Sequence, residues 1–145
     1  MSAIWFIFPN LQQLNGLAAN TAAEHMGIEL TEFGDNWLQG RMPVDHRTHQ
    51  PLGLLHGGAS VLLAETLGSV AANLCIDTDT HYCLGLEINA NHIRGVSSGW
   101  VIGTATALHV GRSTQIWSIR IEDEAGKLVC MSRLTMAVTP RRDAL

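Results

Sequence analysis

From His56 to Cys75 the chain reads HGGASVLLAETLGSVAANLC, with no proline and with apolar residues at helical spacing. At 100° per residue Leu63, Leu67, Val70 and Leu74 fall on one side, which predicts a long helix with a core stripe. The opposite side carries Gly58, Glu65, Ser69 and Ala72, flanked by Val61, Leu62 and Gly68. Small residues there let another backbone or a ligand come close. Glu65 is the only carboxylate of the helix. A solvent-facing stripe ordinarily carries several charges, so an isolated carboxylate among small and apolar groups points to proton transfer or nucleophilic attack. The plainer alternative is a surface charge.

Upstream lies QPLGLLHGG, Gln50 to Gly58. Gly57 and Gly58 sit where the helix begins, and free N–H groups at a helix start can hold an oxyanion. Alternatively the glycines form only a tight turn and His56 only a cap. Gly57 and Glu65 are eight residues apart, so their backbones lie about 12 Å apart along a helix. One carbonyl cannot touch both within a single chain. If both serve one reaction, the site joins Gly57 of one subunit to Glu65 of another.

Around this helix the pattern changes. Leu11, Leu14 and Leu17 predict a short N-terminal helix, and Thr21-Ala-Ala-Glu24 has the form of a capping box before Gly27. Leu38, Gly40, Met42 and Val44 alternate with Trp37, Gln39 and Arg41 as a strand, preceded by the turn Gly34-Asp35-Asn36. Asp45 to Leu55 reads as a loop. Four strand-like segments follow, over residues 82–93, 100–110, 113–122 and 127–138. In the last, Leu128, Cys130, Ser132, Leu134, Met136 and Val138 share a face. Short turns between successive strands imply antiparallel pairing. The expected fold is α+β: one domain over residues 1–145, with a long helix against an antiparallel sheet of five to six strands.

Composition narrows the function classes. The chain has 145 residues, 46% of them hydrophobic and 15% charged, which excludes a disordered protein. Net charge is −4, with eight arginines and one lysine scattered along the chain, so electrostatics disfavour nucleic acid as a partner. Residues 3–8 are apolar but too short to span a bilayer, and Glu65 interrupts the longer stretch 53–76. No basic n-region of a secretory signal precedes Arg41. Three cysteines without a C-x-x-C fit reduced thiols and a cytoplasmic location. His46 and His49 form a bare H-x-x-H beside Pro51, too weak a signal for a metal site. The expectation is no metal, no cofactor, no nucleic acid and no membrane.

Residues 42–69, MPVDHRTHQPLGLLHGGASVLLAETLGS, resemble the hotdog-fold acyl-CoA thioesterases of the PaaI/YdiI type, as do GLEINANHIRG at 85–95 and LHVGRSTQIWSIRI at 108–121. The resemblance runs from about Leu11 to Val138 and keeps Gln50, His56-Gly57-Gly58, Glu65 and Ser69 in one spacing. It implies a hotdog fold, and a homodimer assembling into a homotetramer with sites at the subunit interface. It also implies hydrolysis of an aromatic acyl-CoA such as 1,4-dihydroxy-2-naphthoyl-CoA, or of a carrier-protein thioester as in enterobactin proofreading. By the same resemblance Glu65 is nucleophile or general base, the Gly57 amide polarises the carbonyl, Gln50 and His56 position it or the water, and Ser69 assists. Gly85, His92-Ile93-Arg94-Gly95 and His109-Val110-Gly111-Arg112 correspond to the stretches that bind CoA. Arg94 and Arg112 suit phosphates through bidentate hydrogen bonds. The apolar start Ala3–Phe8 departs from the family's basic one, and Arg141-Arg142 is expected to be an unstructured end. Two other classes share this fold's logic: a hydroxyacyl-thioester dehydratase and a non-catalytic acyl-CoA-binding protein.

Overall fold

The computed structural model describes residues 2–142. Two short helices, α1 (Leu11–Leu17) and α2 (Ala22–His25), precede strands β1 (Glu29–Phe33) and β2 (Trp37–Pro43). The long helix α3 (Gly57–Leu74) follows, then β3 (His81–His92), β4 (Trp100–Val110), β5 (Thr114–Asp123) and β6 (Leu128–Pro140). The six strands form one antiparallel sheet in the order β1-β2-β4-β5-β6-β3.

Helix α3 packs on one face of that sheet. Leu63, Ala64, Leu67, Ala71 and Leu74 are buried, as are Leu38, Met42, Val101, Ala105, Trp117, Ile119, Leu134 and Met136 from the strands. Gly40 and Gly103 are register partners on β2 and β4. A Cβ on either would lie 2.8 Å from a methyl of Leu67, so the pair forms a notch that receives this side chain. The helix therefore sits closer to the sheet than larger residues would permit.

Several sequence expectations change. Val70 is only half-buried, whereas Gly68 and Ala72 are buried. A Cβ on Gly68 would lie 2.5 Å from Leu134 Cδ2. The sheet thus covers more of the helix than a single stripe, and Gly68 is what lets β6 close in. Pairing is antiparallel, but not always between successive strands: residues 94–99 carry the chain from the β3 edge across to β4, and β3 pairs with β6. The capping box does not form. Thr21 Oγ1 donates to Ala18 O, and Glu24 accepts from the Asn20 N–H instead. Arg141 is tied down rather than loose: its N–H donates to Thr80 O at 2.8 Å, its Nε to Thr78 O at 2.6 Å, and its guanidinium lies 5.5 Å from the Tyr82 ring centroid.

The irregular N-terminal segment is fastened to the end of α3. Trp5 stacks on the buried Trp117 with centroids 6.5 Å apart, and its Nε1 donates to Gly34 O. The Phe6 and Ile7 N–H groups both donate to Leu74 O, at 2.9 Å each. No described helix is long and apolar enough to cross a membrane.

Candidate active site

The loop before α3 is built around Asp45 and Thr48. Thr48 is buried; its Oγ1 donates to Pro43 O at 2.8 Å and accepts from Asp45 N at 3.1 Å. Arg47 binds the Asp45 carboxylate through its backbone N–H and its guanidinium, which holds that carboxyl down at about 2. Thr48 O then accepts from His56 N at 2.7 Å, placing His56 at the helix start. His56 Nδ1 accepts from Gly58 N at 2.8 Å, so the neutral ring carries its proton on Nε2. The imidazole is an N-cap whatever else it does.

Gly57 opens the first turn, and among the described residues its N–H has no acceptor. It borders a cavity of about 340 Å³ with Gln50, Ser60, His92, Ile93, Arg94 and Gly95. A Cβ on Gly57 would lie 2.9 Å from His92 Nε2, so glycine here keeps the amide open beside the imidazole. The Gln50 side chain folds toward its own loop, where Oε1 accepts from the Leu52 N–H. Six of the residues expected to bind CoA or the carbonyl, Gln50, Gly57 and His92 to Gly95, are thereby brought to one end of α3 from positions up to 45 apart in sequence.

The other expected residues lie elsewhere. Glu65 is half-buried two turns along the helix, and its Oε1 occupies the place a Cβ on Gly85 would take. A glycine on β3 is therefore what admits the carboxylate against the sheet edge. Ser69, one turn further, directs its Oγ to Met136 Sδ at 3.8 Å. Glu65 forms no ion pair or side-chain hydrogen bond with another described residue. His109, Val110, Gly111 and Arg112 lie at the β4–β5 hairpin, where the Gly111 N–H donates to Thr114 O. Register through β5 and β6 places that hairpin beside the start of β3, while Arg94 follows its end. The two arginines are more than about 20 Å apart in one chain. Within one chain the expected site residues thus fall into three separate groups.

Thr48 and Ser60 did not stand out in the sequence as site residues. The Asp45-x-x-Thr48 spacing is a turn signal that could have shown the first. Ser60 lines the cavity one turn after Gly57 but is an ordinary small helix residue by sequence. Among the described residues no group of three or more His, Cys, Asp or Glu could hold a metal. Cys83 and Cys130 are buried and Cys75 is half-buried; desolvation pushes Cys75 up to about 12 and Cys83 up to about 11, and raises Cys130 as well.

A long helix packed on a six-stranded antiparallel sheet, with a lone carboxylate at mid-helix and an open amide at its start, fits a hotdog-fold thioester hydrolase. The chain belongs to the Thioesterase superfamily, whose model matches residues 52–130. A crystal structure of a mutant of thioesterase PA1618 from Pseudomonas aeruginosa is 52% identical, with a TM-score of 0.95 over 96% of this chain and 100% of that one. The proofreading thioesterase EntH of Cronobacter turicensis is 52% identical over 93% of this chain and 98% of its own. The 1,4-dihydroxy-2-naphthoyl-CoA hydrolase of Escherichia coli K12 is 47% identical over the same shares. The protein is a thioesterase.

Proposed function

We propose that the protein hydrolyses an acyl-CoA with an aromatic acyl group, such as 1,4-dihydroxy-2-naphthoyl-CoA, to the free acid and CoA, at a site shared between two copies of the chain. The observation that carries this reading is the separation of the open Gly57 amide from the Glu65 carboxylate, eight residues along one unbroken helix. Strand β3 is a sheet edge of twelve residues that exposes Leu84 and Leu86. An uncovered edge is a template for strand pairing. Two copies paired β3 to β3 set their α3 helices side by side about a two-fold axis, so that Glu65 of one faces the cavity of the other. A further pairing of dimers into a tetramer supplies Arg112 from a different copy than Arg94.

In that site the Gly57 N–H, at the positive end of the helix dipole, takes the developing oxyanion. Gln50 and His56 orient the carbonyl or the attacking water, and Ser69 supports Glu65. Glu65 either takes a proton from water or attacks the acyl carbon to give an anhydride, with CoA leaving as the thiol. A single turnover in ¹⁸O-water separates the two: direct attack by water labels the acid product, whereas hydrolysis of the anhydride at the Glu65 carbonyl labels the protein. Arg94 and Arg112 bind the phosphates of CoA, and His92 and Gly85 border the rest of the substrate. A homologue's 1,4-dihydroxy-2-naphthoyl substrate supports the aromatic choice.

The test is a panel of aromatic and aliphatic acyl-CoA and carrier-protein thioesters, read by release of free thiol. The fastest kcat/KM is expected for an aromatic acyl-CoA. Faster turnover of the carrier-protein thioester would move the physiological carrier to that protein. An enoyl product without thiol would overturn hydrolysis in favour of the lyase reading.

A further inference from the structure

Helix α3 holds one buried polar side chain that the reaction proposed above does not use. Ser60 is 2% exposed, and it lines the cavity of about 340 Å³ that Gly57 borders. We propose that the Ser60 hydroxyl is a second hydrogen-bond donor to the thioester carbonyl oxygen received by the Gly57 N–H. The inference rests on the proposed hydrolysis at Glu65 and adds a side-chain arm to its oxyanion corner.

Three observations support this role. First, the hydroxyl has no partner. The buried polar side chains among the described residues are Thr48, Ser60, Gln115 and Ser132. Thr48 donates to Pro43 O, Gln115 to Ala72 O and Ser132 to Ile119 O, whereas Ser60 Oγ bonds no described residue. A hydroxyl inside a helix commonly turns onto the carbonyl four residues back. Thr66 does so, donating to Leu62 O at 2.7 Å. For Ser60 that carbonyl is His56 O, which already accepts from Ala59 N at 3.0 Å and from Ser60 N at 3.2 Å. Both of its lone pairs are taken.

Second, the hydroxyl opens on the cavity. Among the described residues no fully enclosed side-chain nitrogen or oxygen lacks a hydrogen bond. The unbonded Ser60 Oγ is therefore reached from the cavity that its residue lines. A nearly buried hydroxyl without a partner lowers stability, and such departures concentrate where a ligand completes the bond.

Third, Ser60 stands beside the open amide. It follows Gly57 by three residues, about 4.5 Å along the helix axis. Side chains three apart share a helix face and lean toward the N-terminus, so Oγ lies over the turn that Gly57 opens. One oxygen seated between two donors at that spacing can lie about 2.9 Å from each. The hydroxyl keeps its proton throughout, and its hydrogen bond strengthens as the oxygen gains charge.

The experiment compares Ser60→Ala and Ser60→Cys with the wild type. Ser60→Ala is expected to lower kcat for an aromatic acyl-CoA at least about tenfold. Its melting temperature should stay level or rise, because an unpartnered hydroxyl is gone. Ser60→Cys keeps the volume but donates weakly, so it should lose about as much turnover. Calorimetry then reads Kd for two non-hydrolysable ligands, S-phenacyl-CoA and S-phenethyl-CoA, in which a carbonyl is exchanged for a methylene. Ser60→Ala should weaken the phenacyl ligand about fivefold and leave the phenethyl ligand within about twofold. Equal effects on both ligands, or wild-type turnover by folded Ser60→Ala, would overturn the assignment and leave the hydroxyl to solvent. Full turnover by Ser60→Cys beside a defective Ser60→Ala would overturn it in favour of space-filling. Absence of thiol release from every acyl-CoA by the wild type would instead defeat hydrolysis at Glu65, and the two ligands would still decide the contact at Ser60.

Discussion

Glu65 is half-buried on a helix whose other outward residues are small, apolar or neutral, and Gly85 leaves room for its carboxylate against β3. Glu65→Ala removes the proposed base or nucleophile without cutting into the core stripe. Turnover is expected to fall at least about a hundredfold, with the melting temperature nearly unchanged. Near-normal turnover by the folded variant would remove Glu65 from the reaction. Gln50→Ala should cost less, because that side chain orients rather than reacts. Glu65 stands out in the sequence itself, since a lone carboxylate on such a stripe is conspicuous by composition. The role of Gly85 in admitting it was not legible there, because no pattern links a strand glycine to a helix residue twenty positions earlier.

At the scale of elements, local periodicity carried most of the reading. Helix α3 and five strands lie within a few residues of where the alternation places them, because each period reports burial on one face. The sheet order was not legible: it depends on the 94–99 crossover, which short-range pattern cannot distinguish from a hairpin. The same crossover separates the two arginines proposed to bind phosphate, Arg94 after β3 and Arg112 in the β4–β5 hairpin. Alanine at either is expected to raise KM for acyl-CoA more than it lowers kcat, since contacts remote from the carbonyl contribute nearly uniform binding. An acyl-pantetheine substrate, which lacks the nucleotide, should show little of this penalty. An equal penalty with both substrates would show that the arginines do not serve the nucleotide end.

For the whole molecule, the desolvated thiols set a limit at high pH. Cys75 and Cys83 lie at about 12 and about 11 in the folded chain, against an ordinary value of 9.0. The folded state holds its thiol protons more tightly than the unfolded one. That stabilisation is fully present below pH 9 and is lost as pH rises through 11 and 12. Melting temperature should therefore fall above pH 9, and Cys75→Ala should flatten the fall; an unchanged slope would mean that other groups govern it. The assembly is tested by combining two defective variants, Glu65→Ala and His56→Asn. Asparagine is chosen because it preserves the helix cap while removing the imidazole. If Glu65 of one chain acts with the His56–Gly57 corner of its partner, a mixed dimer has one site with both defects and one with neither. Random reassortment of equal amounts makes half the dimers mixed, so about one quarter of wild-type activity returns. The two singles are first confirmed as folded and nearly inactive, and mixing is followed by tagged co-purification. Mixed dimers that form without recovering activity would place the whole reaction within one chain. In that case the open Gly57 amide and the Glu65 carboxylate, held about 12 Å apart by the helix rise, could not act on the same carbonyl.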